Sequence, residues 1–182
     1  LGRFDSIQAA EAGRDPDGAA AVAAGAQRAI LVGHSMGGQV SLDCAGRHGA
    51  RVRALAILGG ALAIPVSAAL MDPAAADDHV AFDLLNVWGY GRRAQLGVHR
   101  MPGLWMMRGG LRVMERAAKG VLYSDLAATN AYDGSTAAAA IKCPTLVVIG
   151  AKDLMTPARA GRASTVELTS SAEDARTLAV TR

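Results

Sequence analysis

Three short apolar runs form the clearest pattern in this chain, and each is followed directly by glycine. They cover residues 29–32, 53–58 and 145–149, where aliphatic side chains follow one another with few charged interruptions. Runs of this length and composition are typical of buried strands in a parallel sheet. Residues 38–47 read as a helix with Val40, Cys44 and Ala45 on its inner side. The pattern therefore predicts an α/β fold class, with helices that connect parallel strands.

Residues 61–137 carry no comparable strand pattern. Five of the seven methionines and both tryptophans lie there, and apolar residues recur with helical spacing along residues 104–114. One interpretation is a small helical subdomain that packs on itself. The other is a soft Met/Trp face that lines an acyl or aromatic pocket. The two are compatible, because such a subdomain has an inner and an outer face.

The first apolar run ends in Gly-His-Ser-Met-Gly-Gly at residues 33–38, and a predicted helix follows. A strand, a glycine-flanked serine and a helix in this order are typical of a nucleophile elbow. The serine backbone is strained in such a turn, and side chains at Gly33 and Gly37 are expected to collide across it. Ser35 is the candidate nucleophile, and the amide of Met36 is a candidate oxyanion donor. The alternative is a tight strand–helix turn without chemistry.

His34 and Gly38 complete the motif. The turn is expected to direct the His34 side chain away from the serine, so His34 is not counted as a general base. His48, His79 and His99 are interpreted as surface residues or residues of the helical region. Asp77 and Asp78 precede His79, but adjacent residues do not converge on one ion without a loop built for it, so no metal site is predicted.

The Gly-His-Ser-Met-Gly-Gly motif resembles that of the α/β-hydrolase superfamily, and a second block supports the resemblance. Residues 143–157 are similar to the strand of those enzymes that ends in Gly-x-x-Asp, with Asp153 at the aspartate position. The family order is serine, then acid, then histidine. The resemblance implies that Asp153 is the acid of a catalytic triad with Ser35. The alternative is a turn aspartate that caps the helix beginning near Pro157.

By this resemblance the fold is a partial, doubly wound and mostly parallel sheet with an inserted helical cap. Residues 1–60 would form a core part with the elbow, 61–137 the cap, and 138–182 a core part with the acid-bearing strand. The matching segments are residues 26–64 and 138–169.

Two features of the family are missing from this sequence. About 28 residues precede the elbow strand, which is too few for the four strands found there in the family. The family's histidine follows the last strand, which matches residues 165–169 here, and no histidine occurs after His99. The chain therefore reads as an interior piece of a hydrolase, with the elbow strand as an unpaired apolar edge.

Composition excludes some classes of function but does not identify a substrate. The 182 residues carry a formal charge of +3 with scattered basic residues, so a nucleic-acid partner is not expected. No apolar segment is long enough to span a membrane. Cys44 and Cys143 lack metal-ligand spacing and are expected to be small buried hydrophobes. They favour a reducing compartment and a cytoplasmic location. No cofactor or metal is expected, and the oligomeric state is left open.

The resemblance implies a hydrolase that cleaves an ester or related acyl bond of a small-molecule substrate through a serine acyl-enzyme. Acyltransferases, carbon–carbon bond hydrolases and cofactor-free haloperoxidases on the same fold are alternatives. Dehalogenases are excluded, because their nucleophile is a carboxylate. A catalytically incomplete fragment or a non-catalytic binding module is the competing class, favoured by the missing histidine.

Overall fold

A computed structural model describes residues 27–98, 105–169 and 175–180. Four parallel strands form one sheet in the order β1-β2-β3-β4. The strands are β1 Ala29–His34, β2 Val52–Leu58, β3 Thr145–Gly150 and β4 Ala175–Val180. The three predicted apolar runs are β1, β2 and β3, so the α/β class is confirmed.

The register aligns the carboxyl ends of the strands at one edge of the sheet. His34 of β1 pairs with Leu58 of β2, and Leu58 pairs with Val148 of β3. Because neighbouring strands are parallel, each connection runs from the carboxyl end of one strand back to the amino end of the next. The loops after β1, β2 and β3 therefore meet at the same edge, where ligands bind in open α/β sheets.

Two helices cover one face of the sheet. Helix α1, Met36–Arg47, connects β1 to β2, and α8, Ala158–Thr169, connects β3 to β4. Each helix approaches the sheet closely at a glycine. A Cβ at Gly38 would lie 2.9 Å from Ile57, and one at Gly161 would lie 2.8 Å from Ile149. The main core forms in this layer and includes Leu42, Leu55, Ile57, Val147, Ile149 and Leu168.

The strand expected at residues 165–169 is wrong, because these residues form the last turns of α8. The family resemblance placed a strand here, yet Gly161, Ser164 and Leu168 follow helical spacing on the buried side. The hydroxyls of Ser164 and Thr165 donate to the carbonyls four residues earlier, at 2.9 and 3.0 Å. The strand that follows is β4. Residues 170–174 thus precede a strand and are not the place where the family's histidine is expected.

Between β2 and β3, six helices occur in the described residues. They are α2 Ala68–Ala75, α3 Val80–Gly89, α4 Arg92–Gln95, α5 Met106–Met114, α6 Val121–Ala131 and α7 Ser135–Ala140. Helices α2 to α6, with their connections, are called the helical segment below. Its fully buried cluster is small and consists of Leu70, Ala74 and Ala81. Where the chain enters and leaves this segment, Gly134 N donates to Leu62 O at 2.9 Å and Val66 N donates to Asn130 Oδ1 at 2.8 Å.

The other face of the sheet carries exposed apolar residues. Ile30 and Val32 of β1 are 60% and 62% exposed, and Leu146 of β3 is 38% exposed. Ladder pairing puts these side chains on the face opposite to Leu55 and Ile57. In the described sheet, β1 is an edge strand with an apolar outer face, as the sequence predicted.

Some sequence expectations lie outside the described residues, namely the helix-prone stretch before Gln27 and the position of His99. Both cysteines are buried, as expected. None of the helices in the part of the chain that the structure describes has the length and apolar character needed to cross a membrane.

Candidate active site

Ser35 occupies the sharp turn between β1 and α1. Its backbone has φ 53° and ψ −123°, a conformation that non-glycine residues rarely adopt. The turn is held by two hydrogen bonds: Ser35 N donates to Leu58 O at 3.0 Å, and Gly38 N donates to Ser35 O at 2.9 Å. Ser35 is half-buried at the carboxyl edge of the sheet and opens a helix. The expected position between a strand and a helix is confirmed.

The glycines around Ser35 differ in how much space a side chain would have. A Cβ at Gly33 would overlap the backbone of Gly37 and lie 2.6 Å from the Cα of Gly38. A Cβ at Gly37 would meet nothing within 4 Å, so the expected collision of a Gly37 side chain is wrong. The second restricted position is Gly38, where a Cβ would lie 2.9 Å from Ile57. The turn thus needs glycine at 33 and 38, because the backbone of residues 37–38 approaches Gly33 and α1 approaches β2.

Met36 begins α1, directly after the serine. The first amides of a helix have no partner within the helix, and they form the positive end of its dipole. The Met36 N–H is therefore in the position from which a donor can serve an oxygen next to the Ser35 hydroxyl. No acidic residue occurs in the first turn of α1, so no nearby carboxylate of this turn opposes an anionic ligand.

Asp153 lies in the loop after β3, where its two carboxylate oxygens have different surroundings. Oδ1 accepts hydrogen bonds from Met155 N at 2.9 Å and Thr156 N at 2.8 Å. The Asp153 amide donates to Gly150 O at 3.1 Å, which closes the turn. These bonds hold a turn within the loop and use only Oδ1; because α8 begins at Ala158, the two amides lie before that helix, and Asp153 is not seen to cap it. Oδ2 faces the loop after β2.

Gly59 separates Asp153 from His34. It follows β2 with φ +53°, and a Cβ there would lie 3.3 Å from Asp153 Oδ2 and 3.4 Å from His34 Nε2. The carboxylate and the imidazole therefore flank the same glycine. The next residue, Gly60, approaches the other side of the site, because a Cβ there would lie 3.4 Å from Ser35 O. The sequence analysis did not foresee this role of the two glycines, although their position after an apolar run marked a tight approach.

Ser35 and Asp153 belong to the same edge of the sheet, as predicted. They follow β1 and β3, which are separated by β2 alone. With about 4.8 Å between neighbouring strands, the two strand axes are roughly 10 Å apart. A Ser35–Asp153 side-chain separation of about 6–9 Å, the span of one imidazole, stays a prediction.

Other nucleophiles and metal centres find no support in the described residues. Burial raises the pKa of the Cys143 thiol, which disfavours a reactive thiolate. No group of three or more His, Cys, Asp or Glu side chains in residues 27–98, 105–169 and 175–180 is arranged to hold a metal ion. Asp77 and Asp78 instead accept backbone hydrogen bonds from Gly120 and Val80.

Gln39 is a buried residue that the sequence analysis missed. It lies in the second turn of α1 and is 1% exposed. Neither of its amide atoms has a hydrogen-bond partner within the described structure, and the same holds for the hydroxyl of Tyr132. Burial is also the main cause that raises the pKa of Tyr132. A polar residue within an otherwise apolar helix face was the available signal.

Comparison with known proteins extends the resemblance along the chain. The model of the alpha/beta hydrolase family matches residues 3–176. The chain belongs to this family. The match is wider than the two segments recognised in the sequence and includes the helical segment. No curated protein matches the sequence significantly.

Solved structures of this fold superimpose at low sequence identity. The enol-lactonase from Burkholderia xenovorans LB400 has a TM-score of 0.69 at 24% identity and covers 88% of this chain and 60% of its own. An esterase from Exiguobacterium antarcticum has a TM-score of 0.71 at 16% identity, with coverage of 88% and 60%. An N-acyl homoserine lactone degrading enzyme has a TM-score of 0.69 at 22% identity, with coverage of 91% and 64%. The α/β-hydrolase chain described here thus spans about 60% of the length of these proteins.

Proposed function

We propose that this α/β-hydrolase family chain carries the nucleophile and the acid of a serine hydrolase that cleaves ester or related acyl bonds. The observation that carries the proposal is the strained Ser35 turn at the same sheet edge as Asp153. Backbone strain of this kind persists where surrounding structure holds it, and it occurs preferentially at functional sites. Esterases and lactone-cleaving enzymes among the similar structures support an ester-like substrate.

In the proposed mechanism, the Ser35 hydroxyl attacks the carbonyl carbon of the substrate and forms an acyl-enzyme. The Met36 amide stabilises the negative charge that develops on the carbonyl oxygen. A histidine accepts the serine proton, and Asp153 holds that imidazole in the required tautomer. Oδ2 of Asp153 suits this role, because Oδ1 is already bound by two backbone amides. Water then releases the acyl group.

The proton acceptor is the part of the mechanism that needs its own assignment. Without a histidine beside it, a serine keeps an ordinary alcohol pKa and is a weak nucleophile at neutral pH. His34 has its imidazole beside Gly59 and Asp153 in this chain. His34→Gln therefore tests that side chain as acceptor, with His48→Gln as the control for loss of a histidine outside this group.

We also propose that the helical segment acts as the cap of the site. It lies between β2 and β3 in the chain. Its entry follows Gly59 and Gly60, and its exit is hydrogen-bonded to that entry through Gly134 N and Leu62 O. In this proposal, residues 1–60 and 138–182 form the hydrolase core and residues 61–137 form the cap. In this proposal, a small-molecule acyl substrate binds between the cap and the carboxyl edge of the sheet.

A fluorophosphonate probe tests the nucleophile, because it labels an activated serine and leaves an idle one unmodified. Ser67 offers a matched control: it also precedes a helix, but with ordinary backbone angles of φ −68° and ψ 149°. We expect labelling of the 182-residue chain that Ser35→Ala abolishes and Ser67→Ala leaves unchanged. Turnover of short p-nitrophenyl esters should follow the same pattern.

The acid is tested by Asp153→Asn with Asp133→Asn as its control. Asp133 is also a turn aspartate, whose Oδ1 accepts from Ser135 N at 2.9 Å. We expect Asp153→Asn to lower the Ser35 labelling rate by about tenfold or more and Asp133→Asn to leave it unchanged. Absence of any Ser35-dependent labelling or turnover would overturn the hydrolase proposal for this chain. The result would then favour a non-catalytic binding module, the class favoured by the absence of histidine after residue 99.

A further inference from the structure

Met155 contacts both the loop of Asp153 and the helical segment. Its backbone amide donates to Asp153 Oδ1 at 2.9 Å. Its side chain packs against the buried cluster of the helical segment, formed by Leu70, Ala74 and Ala81. The same cluster is surrounded by half-buried apolar residues of that segment and its entry, namely Val66, Leu84, Leu85, Trp88, Leu122 and Leu126. The acid-bearing loop and the helical segment therefore share this residue.

The hydrogen bonds of the loop tie the Asp153 carboxylate to the backbone of residues 155 and 156. Both amides donate to the same oxygen, at 2.9 and 2.8 Å, and hydrogen bonds to a carboxylate are stronger than those between neutral groups. Thr156 is buried, which anchors one end of this pair. A displacement of Met155 along the helical segment moves one of the two donors and turns the carboxylate.

Comparison with the neighbouring residue shows that contact with the helical segment is specific to one side chain of this turn. Leu154 is 69% exposed and is absent from the apolar cluster. Both residues are apolar, adjacent and in the same turn, yet only Met155 packs on the helical segment. An unbranched methionine adapts to a cluster whose other members shift.

We infer that Met155 is a positioning residue, through which the packing of the helical segment sets the orientation of the Asp153 carboxylate. The inference rests on the proposed function, because it gives the helical segment a role in aligning the acid. An apolar acyl group that packs into the cluster around Trp88 would press on Met155 and thereby act on Asp153. Coupling of this kind is reciprocal: a change at Asp153 must also alter the packing of the helical segment.

The coupling itself is measured without any activity. The chain holds two tryptophans, so Trp105→Phe leaves Trp88, a member of the cluster, as the single fluorophore. In that background we expect Met155→Ala to shift the Trp88 emission to longer wavelength and to speed amide hydrogen exchange at residues 155 and 156. Met155→Leu should restore both signals, and Leu154→Ala should change neither. Asp153→Asn should shift the Trp88 emission as well, which a purely packing role of Met155 would not produce.

The positioning role is measured on Ser35. We expect Met155→Ala to lower the rate constant of fluorophosphonate labelling by about tenfold, since small misplacements of a catalytic group cost one to two orders of magnitude. Leu154→Ala should retain the original rate. In ester turnover, the loss should fall on kcat more than on KM.

Each outcome decides one step. Unchanged Trp88 emission in Asp153→Asn would overturn the coupling whatever the activity, even if Met155→Ala shifts the emission, because packing of Met155 alone explains the second shift. A shifted emission with an unchanged labelling rate would overturn the positioning role. If the unaltered chain shows no labelling at Ser35, the proposed function fails. The emission and exchange data then still decide whether Met155 couples the helical segment to Asp153.

Discussion

The sheet with its two covering helices and the helical segment are held together in different ways. The sheet layer buries a continuous core that includes Leu42, Leu55, Val147 and Leu168. In the described residues, the large apolar side chain that the helical segment buries fully is Leu70, beside the small alanines Ala74, Ala81 and Ala128, and its other apolar contacts are partly exposed. Stabilisation by apolar burial scales with the area removed from water, so the sheet layer is the more stable of the two.

This difference fits the work that each region would do in a hydrolase. A strained turn such as that of Ser35 persists only where the surrounding structure holds it in place. The sheet layer provides such a frame through the β1–β2 ladder and the packing of Gly38 on Ile57. A loosely packed helical segment adapts to ligands of different shape, because regions with few buried contacts open locally at low cost.

Two leucines of equal burial test the comparison most strongly. Leu55 in β2 and Leu70 in α2 are each 2% exposed. We expect Leu55→Ala to lower the free energy of unfolding by about 4–5 kcal/mol, the upper end of the range for leucine truncation. Leu70→Ala should cost about 2–3 kcal/mol, because its small and partly exposed cluster can collapse around the cavity. Denaturant unfolding measures both.

Hydrogen exchange distinguishes a local from a global effect of these truncations. Leu70→Ala should raise exchange in α2, α3 and α6 and leave β2 and β3 protected. An equal or larger loss of stability at Leu70 would contradict the view that the sheet layer is the more stable region.

The strain at Ser35 gives a second, smaller effect that is confined to the sheet layer. Glycine adopts the φ of 53° found there at little cost, whereas alanine pays the same penalty as serine. We therefore expect Ser35→Gly to raise the free energy of unfolding by about 1 kcal/mol and Ser35→Ala to leave it nearly unchanged. Both variants lose the nucleophile. A destabilised Ser35→Gly variant beside a neutral Ser35→Ala variant would show that the turn stores no strain.

Local patterns predicted the first three strands better than the end of the fold. Apolar runs followed by glycine located β1, β2 and β3, because short, continuous apolar runs are typical of buried parallel strands. The turn of Ser35 and the loop of Asp153 come directly after two of these strands. The strand assigned to residues 165–169 rested on the family resemblance and failed, because these residues continue α8 and Leu168 packs in the core of the sheet layer.

The contacts of Asp153 and Met155 could not be derived from the sequence at all. Gly59 and Met155 each contact residues that are distant in the chain, and no periodicity encodes which helices of a variable segment approach a given loop. Gln39 is a similar case. Its burial depends on how α1 packs against the chain around it, and its unpaired amide contradicts the usual preference for satisfied buried groups.

The smallest expected effect concerns the surface of the helical segment. His79, before α3, has Nδ1 3.2 Å from Asp83 and Nε2 3.1 Å from Glu115, which follows α5 and also pairs with Arg112. The hydrogen bond to Glu115, followed by that to Asp83, raises the pKa of His79 above its ordinary value of 6.5. The hydrogen bond to His79 is in turn the main cause that lowers the pKa of Glu115 below 4.5.

The direction of these shifts fixes the pH dependence of this contact between α3 and α5. A raised histidine pKa stabilises the folded chain below pH 6.5, and this contribution is lost as the pH rises through the folded value. A lowered glutamate pKa stabilises above pH 4.5 and is lost as the pH falls through its folded value. The contact is therefore strongest between these limits. We expect His79→Gln to lower the thermal midpoint slightly at pH 5.5 and hardly at pH 8.5, because exposed ion pairs contribute little. High salt should remove the difference. An equal loss at both pH values would show that His79 acts by packing on Phe82, whose ring lies 5.8 Å away, and not by charge.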